Sequence, residues 1–150
     1  DGVLEGTDGL DVLVGGLGQN VLFGGHDDAA DTLTGGSGHD IFVLNKVSSE
    51  DNLDTITDFN ASEDSLDLTS LLVGLDGQPD DNADQDTIAA FIADHVQVNQ
   101  DGTVTVDDES VANFTEETSS FDANQDGDVN TYDAIRVVYN NIEYSINVDG

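Results

Sequence analysis

Large apolar residues recur at a regular spacing through the first third of the chain. Each stands two residues after an aspartate or asparagine, at Leu13, Leu22, Leu33 and Phe42. Their neighbours on both sides are β-branched or aromatic, so the alternation predicts short strands that each bury one side chain. Glycine-rich turns separate these predicted strands.

The strands and turns form four copies of a nine-residue repeat, G-x-x-G-x-D-x-L-x, in which the third copy carries a two-residue insertion. The copies begin at Gly6, Gly15, Gly24 and Gly35. Leu4 stands two residues before the first copy, where the large residue of a truncated earlier copy would fall. Four copies in register argue against a flexible glycine-rich linker and predict a stack of coils.

Each turn has the composition of a cation site built from oxygen atoms. Glycines permit positive φ angles and let backbone carbonyl oxygens approach a cation, and the aspartate at the sixth position adds a charged oxygen. Because two repeats complete one coil, the turns alternate between two edges. We therefore expect Asp11 and Asp31 to share one edge. Asn20 and Asp40 are expected at the other edge, and Ca²⁺ is the cation that suits such sites.

These repeats resemble those of the RTX family, and the resemblance implies a parallel β-roll that holds Ca²⁺ ions between successive turns. Asn20 departs from the pattern because its side chain offers only a neutral oxygen. Its site is expected to be weaker or to rely on Asp40. The metal-site residues expected within the four repeats are Gly6, Asp8, Asp11, Gly15, Gly16, Gly18, Asn20, Gly24, Gly25, Asp31, Gly35, Gly36, Gly38 and Asp40.

The segment after the repeats reads D-x-I-x-D-F and then D-x-L-D-L, between residues 54 and 68. It resembles the segment that follows RTX rolls in secreted adhesins and serralysin-type proteases. The resemblance implies that Asp54 and Asp58 complete the last calcium site; the alternative is two solvated acids on a strand face. A hydrophobic end-plate that keeps the last coil from fraying is expected from Ile56, Phe59, Leu66 and Leu68.

The C-terminal half begins with a polar loop that holds the chain's one proline. Apolar residues at helical spacing then predict a helix that ends near His95, behind an Asp cap. Two strands on either side of residues 99–102 predict a β-hairpin. A second hairpin is predicted for residues 135–148, with Asn140 and Asn141 in a type I′-like turn.

Residues 122–133 match the calcium loop of an EF-hand, in which alternate oxygen ligands curl around one ion and a glycine allows the bend. The expected metal-site residues of this loop are Asp122, Asn124, Asp126, Asp128 and Asp133. With an aspartate at its last position, the loop resembles those of dockerins. Whether this shorter side chain binds the ion through one oxygen or two stays open. A predicted strand, rather than an exiting helix, follows the loop, so we expect a static staple and not a calcium sensor.

The chain is strongly acidic, with 33 Asp and Glu residues against two basic ones and a formal net charge of −31. Coulomb repulsion makes nucleic acid and anionic membrane surfaces poor partners, and no apolar run is long enough for direct membrane insertion. The well-patterned hydrophobic residues argue against disorder. Several Ca²⁺ ions are the expected counter-charge. The absence of cysteine excludes a disulfide framework and thiolate metal sites.

We expect no enzymatic activity, because the sequence has neither H-E-x-x-H nor G-x-S-x-G and carboxylate pairs carry no specificity in so acidic a chain. His26 and His39 fall at variable turn positions and are expected to be exposed. The expected fold is mainly β, with a short parallel calcium-binding β-roll over residues 1–45. A roll-capping segment over 46–73 and a β-rich C-terminal unit with one short α-helix over 74–150 are expected to follow.

This order of parts resembles the C-terminal type I secretion region of large bacterial RTX adhesins. The resemblance implies a calcium-dependent folding module with an uncleaved C-terminal export signal, which an inner-membrane ABC transporter of a Gram-negative type I secretion system reads. The module is expected to work in a secreted or cell-surface protein and, as a fragment, to be a monomer. The absence of methionine indicates a piece of a longer protein.

Two other functions remain open at this point. The first is a calcium-dependent adhesive module that binds a carbohydrate, another protein or ice. A flat ladder of threonine or aromatic residues would favour it, and no such ladder is evident in the four repeats. The second is the non-catalytic tail of an RTX protease or lipase.

Overall fold

Short strands dominate the computed structural model, which describes residues 1–80, 82–99, 103–115 and 134–147. The strands are β1 (Gly2–Glu5), β2 (Val12–Leu17), β3 (Asn20–Phe23), β4 (Thr32–Ser37), β5 (Ile41–Val43), β6 (Thr55–Ile56), β7 (Ser65–Asp67), β8 (Val96–Val98), β9 (Val104–Val106), β10 (Glu109–Ser110), β11 (Asn113–Phe114), β12 (Ala134–Tyr139) and β13 (Ile142–Asn147). The helices are α1 (Thr69–Leu72) and α2 (Gln85–His95), and a 3₁₀ turn spans Glu50–Asn52. The predicted mainly β fold class is confirmed.

Strands β1 to β7 alternate between two parallel sheets, and this alternation makes the roll. The first sheet has the order β1-β3-β5-β7-β12-β13, and the second has the order β11-β6-β4-β2. All pairs are parallel except β12 with β13. Each coil therefore contributes one strand to each sheet, and its two turns lie at opposite edges, as the repeat predicts.

The inward side chains stack into two columns, one on each sheet. In the first sheet the register aligns Leu4, Leu22, Phe42, Leu66, Val137 and Tyr144. In the second sheet it aligns Leu13, Leu33, Ile56 and Phe114. Leu22, Leu33 and Phe42 are fully buried, and each such side chain contributes about 2 kcal/mol through burial. The predicted ladder is confirmed, including the partial copy at Leu4.

The segment after the fourth repeat forms a further coil of the roll. Ile56 pairs with Leu33 in the second sheet, and Leu66 pairs with Phe42 in the first. Both residues serve as rungs, and β11 and β12 extend the sheets beyond them, so the capping role expected of this segment stays a prediction. Phe59 is also buried in this core. The domain boundaries expected at residues 45 and 73 stay predictions.

The C-terminal half contains the predicted helix and both predicted hairpins. Helix α2 is 11 residues long, and Asp84 caps it by accepting a hydrogen bond from the Thr87 N–H at 2.8 Å. A third, antiparallel sheet has the order β10-β9-β8. Asn140 and Asn141 turn between β12 and β13 at φ angles of 50° and 67°. In the described ranges, no helix is both long and apolar enough to cross a membrane.

Candidate calcium sites

Three aspartates stack along one edge of the roll. The Asp11 N–H donates to Oδ1 of Asp31 at 2.8 Å, and the Asp31 N–H donates to Oδ1 of Asp54 at 2.9 Å. The structure therefore brings Asp11 and Asp31 together as the repeat predicts, and it adds Asp54 on the next coil. The Asp31 and Asp54 carboxylates each use one oxygen to bind the backbone of the preceding coil, whereas Asp11 Oδ2 accepts from the Thr7 N–H of its own turn at 2.7 Å.

The opposite edge repeats this arrangement with Asn20, Asp40 and Asp64. The Asn20 N–H donates to Oδ1 of Asp40 at 2.9 Å, and the Asp40 N–H donates to Oδ1 of Asp64 at 3.0 Å. Asp58 lies at this same edge, where it accepts hydrogen bonds from the backbone of Gly35 and Gly36 at 2.9 and 2.8 Å. The structure thus does not bring Asp54 and Asp58 to one site, because they belong to opposite edges.

Glycines let the turns of neighbouring coils approach closely at this second edge. Gly36 and Gly38 have φ angles of 102° and 118°, which side-chain-bearing residues rarely adopt. A Cβ at Gly36 would overlap the carbonyl oxygen of Gly16, and one at Gly38 would overlap that of Gly18. The carbonyl oxygens of one turn therefore lie directly against the next turn. Carbonyl oxygens in such a position are ligands that Ca²⁺ accepts.

The amide of Asn20 lies within a group of three oxygen atoms. Its Nδ2 donates to Oδ1 of Asp40 at 3.0 Å, to the Gly18 carbonyl at 3.3 Å and to the Gly35 carbonyl at 3.5 Å. Two carbonyls and a carboxylate are the ligand types that Ca²⁺ selects. An amide nitrogen, which only donates hydrogen bonds, cannot ligate a metal in this orientation. Asn20 is thus the one position in the two stacks where a neutral side chain fills the place of a carboxylate.

The buried carboxylates of the later coils carry strongly shifted pKa values. Burial, together with the charges of Asp31 and Asp27, raises the pKa of Asp54 to about 6. Burial and the charges of Asp40 and Asp58 likewise raise the pKa of Asp64 to about 6. Both shifts mean that the ionised carboxylates lack sufficient positive charge nearby. A divalent cation would supply that charge.

The residues present fit Ca²⁺. Asp40 is fully buried, and its Oδ2 has no hydrogen-bond partner in the described part of the chain. On the other edge, a cavity of about 10 Å³ has room for about one water-sized species. The polar side chains that line it are Asp27, Asp31, Asn45 and Asp54. No set of three His, Asp or Glu side chains converges among the described residues, so carbonyl oxygens must complete any site.

Comparison with known proteins gives two findings. Residues 5–135 match the family model described as "Peptidase M10 serralysin C terminal". The chain belongs to this family. A solved structure, described as the crystal structure of the C-terminal domain (RV) of MpAFP, is 50% identical with a TM-score of 0.79, covering 98% of this chain and 99% of that one. No curated protein sequence gave a significant match.

As a member of the serralysin C-terminal family, the chain is a non-catalytic RTX-type C-terminal module. Calcium binding is typical of this β-roll family. The fold and the two acid stacks agree with this membership. The expected ligands of the EF-hand-type loop, between 122 and 133, lie outside the described residues.

Sequence reasoning missed two acids of the roll and misjudged one histidine. Asp64 occupies the sixth position of a repeat that has lost its glycines, and the surviving D-x-L pattern was the available signal. Asp27 comes from the insertion of the third repeat, and its Oδ1 is buried without a partner in the described part.

His39 is only 33% exposed, because its Nε2 contacts Glu143 at 2.9 Å, whereas His26 is exposed as expected. Asp8, expected near a site, lies exposed in its turn.

Proposed function

We propose that this chain is a calcium-dependent folding and type I secretion module, which carries the C-terminal export signal of an RTX adhesin. The observation that carries the calcium part is the carboxylate of Asp40, which is fully buried with one oxygen unpartnered in the described structure. Burial of an unpaired carboxylate is costly unless a cation or proton compensates it. The family membership supports the secretion part.

Four aspartates are proposed to hold calcium between coils: Asp31 and Asp54 at one edge, and Asp40 and Asp64 at the other. Asp58, the repeat glycines and Asp11 are proposed to complete these sites, through their side chains or backbone carbonyls. A bound Ca²⁺ supplies positive charge and several coordination positions that tie neighbouring turns together. One further ion is proposed for the loop at 122–133. Even several ions leave the surface acidic, given the net charge of −31.

Calcium concentration then controls folding. In the cytosol, where free calcium is low, the stacked carboxylates repel one another, and the chain stays unfolded and able to pass through a channel. Outside the cell, sites of the affinity usual for extracellular modules, roughly 10⁻⁴ to 10⁻³ M, fill and drive folding by mass action. The proposed partner during export is an inner-membrane ABC transporter, and the proposed location is the cell surface or the medium.

A fusion experiment tests the export function. Residues 1–150 are fused to a passive cargo and expressed in Gram-negative cells with and without a type I transporter. The proposal predicts cargo in the medium only when the transporter is present, and only when the C-terminal residues 134–150 are retained. Failure of export with an intact transporter would contradict it.

An adhesive role is the second candidate, and one observation favours it. The outward side chains of β4 and β6 place Thr32 beside Thr55 and Thr34 near Thr57, whose hydroxyls lie 2.6 Å apart. The four repeats alone do not show this short threonine ladder. It forms because residues 55–57, which follow the repeats, read T-x-T like residues 32–34 of the third repeat. Binding of a carbohydrate, protein or ice that Thr34→Ala and Thr57→Ala abolish would support adhesion.

A further inference from the structure

A groove of about 550 Å³ lies between the loop of residues 45–53, the end of α1 and the hairpin β9–β10. It adjoins the small cavity at the edge of Asp31 and Asp54, with which it shares Asn45, Val47, Leu53 and Val111. Its volume is typical of binding clefts. Its floor is apolar, formed by Val47, Leu53, Leu71, Leu75, Val106 and Val111. Leu71 and Leu75 pack against the core yet stay partly exposed. The floor therefore offers apolar contact area that the chain itself does not fully cover.

The rim of this groove is acidic. Glu50, on the loop, and Asp107, Asp108 and Glu109, on the hairpin, are all exposed and line it. Lys46 is the single basic side chain of the rim and the only lysine of the protein. Four carboxylates around an apolar floor attract a partner that combines positive charge with apolar side chains.

Two of the rim carboxylates are held by unusual backbone. Asp107 and Asp108 form the two-residue turn between β9 and β10 with φ angles of 49° and 68°. Turns of this kind favour glycine at the second position, where it adopts positive φ at little cost. Asp107 is also fixed by His95, whose Nδ1 lies 2.6 Å from Oδ1, and His95 Nε2 lies 2.8 Å from the Asp76 carbonyl. The chain thus tolerates strain that keeps carboxylates at this rim.

We propose that this groove binds an extended segment of another protein in which lysine or arginine alternates with aliphatic residues. The aliphatic side chains contact the floor, and the basic ones pair with the rim carboxylates. An extended segment fits because β10 is an edge strand of its sheet among the described residues, and both of its residues, Glu109 and Ser110, line the groove. This interaction goes beyond the proposed folding and export function, and it needs the folded chain but not the transporter.

The test uses the complete 150-residue chain in calcium and three synthetic peptides of ten residues. The first alternates lysine with leucine and valine, the second replaces lysine by glutamate, and the third replaces the aliphatic residues by serine. Affinity is measured by fluorescence anisotropy at two salt concentrations, and the site is mapped by NMR shift changes. Spermidine serves as a small cation without apolar side chains.

The groove variant Asp108→Gly with Glu109→Gln removes two rim charges and relieves the strained turn. The control variant Asp80→Asn with Asp86→Asn removes the same charge from positions outside the groove. The proposal predicts that the groove variant weakens binding of the lysine peptide about tenfold and that the control changes it less than about twofold. It also predicts shift changes at Val47, Leu75 and Ser110.

Equal weakening by the two variants would overturn the proposal, since it would show general attraction to an acidic protein. Equal binding of the serine peptide would overturn it as well, because the apolar floor would then contribute nothing. Spermidine binding as tight as that of the lysine peptide would also overturn the proposal, because the groove would then bind a small cation and not a protein segment. Circular dichroism in calcium checks that both variants keep the fold.

Discussion

The carboxylate of Asp64 accepts a hydrogen bond from the backbone N–H of Asp40 at 3.0 Å, although 24 residues separate them. This contact continues the acid stack of the repeats into a coil whose turn has lost its glycines. Both side chains are buried, at 0% and 2% exposure for Asp40 and Asp64. The last coil of the roll therefore belongs to the proposed calcium-binding structure and not only to its cap.

Asp64→Asn tests that conclusion. The amide keeps an oxygen that accepts the Asp40 N–H, but it loses the negative charge and the acceptor of the Asn60 N–H. Calcium affinity depends on ligand charge. We expect the midpoint of a calcium titration, followed by circular dichroism, to rise about tenfold. Glu63→Gln is the matched control, because Glu63 is the exposed neighbour and should leave the midpoint unchanged. Equal midpoints for Asp64→Asn and the unmodified chain would exclude Asp64 from the site.

The calcium-free chain should gain structure on acidification. The pKa of Asp64 is about 6 in the folded chain against an ordinary 3.8, so the folded state binds this proton more tightly. Its contribution favours folding fully below pH ~4 and is lost as the pH rises through about 6. The difference amounts to about 3 kcal/mol for this buried group. Circular dichroism with a chelator should therefore show more β structure at pH 5 than at pH 7. The same amount of β structure at both pH values would contradict the raised pKa of Asp64.

Asn20→Asp should strengthen calcium binding at the first two coils. The new carboxylate would lie among the Asp40 carboxylate and the Gly18 and Gly35 carbonyls, where the neutral amide now donates hydrogen bonds. We expect calorimetry to show one additional ion or an affinity about tenfold higher, together with lower stability in chelator. Asn113→Asp, on an exposed strand position, is the control. The same calcium binding in both variants would argue against a site at Asn20.

The variants Gly36→Ala and Gly16→Ala distinguish two effects on stability: the cost of a positive φ angle, and the clash of a new methyl group with the backbone of the neighbouring coil. The two glycines have nearly equal φ angles, 102° and 100°, but only Gly36 faces the backbone of another coil. Gly16→Ala should lower the free energy of unfolding in calcium by about 1 kcal/mol through its positive φ. Gly36→Ala should lower it by a further ~2 kcal/mol, because the methyl group would force two turns apart. Equal losses in urea unfolding would show that the turns are not in contact.

The sequence was sufficient for the features that depend on local pattern. The D-x-L spacing predicted which residues point inward, because side chains alternate along a strand. The two repeats in each coil predicted which aspartates share an edge. The turn at Asn140 and Asn141 was predictable because asparagine tolerates positive φ.

Long-range pairing was not predictable in the same way. The docking of Val137 beside Leu66 joins residues about 70 positions apart, and no local pattern selects that partner. Asp58 lies beside Gly35 because the two residues each follow a paired strand residue, Ile56 and Leu33, by two positions. That pairing of β6 with β4 spans 23 residues and does not keep the nine-residue period. The groove between residues 45–53 and β9–β10 likewise arises only when distant segments pack together.

Whether calcium gates folding can be measured by circular dichroism of residues 1–150. Spectra are recorded at neutral pH in millimolar calcium and in chelator, with magnesium at matched ionic strength as the control. Calcium-gated folding predicts a β spectrum in calcium and an unfolded spectrum in chelator and in magnesium. The same β spectrum in chelator as in calcium would contradict it.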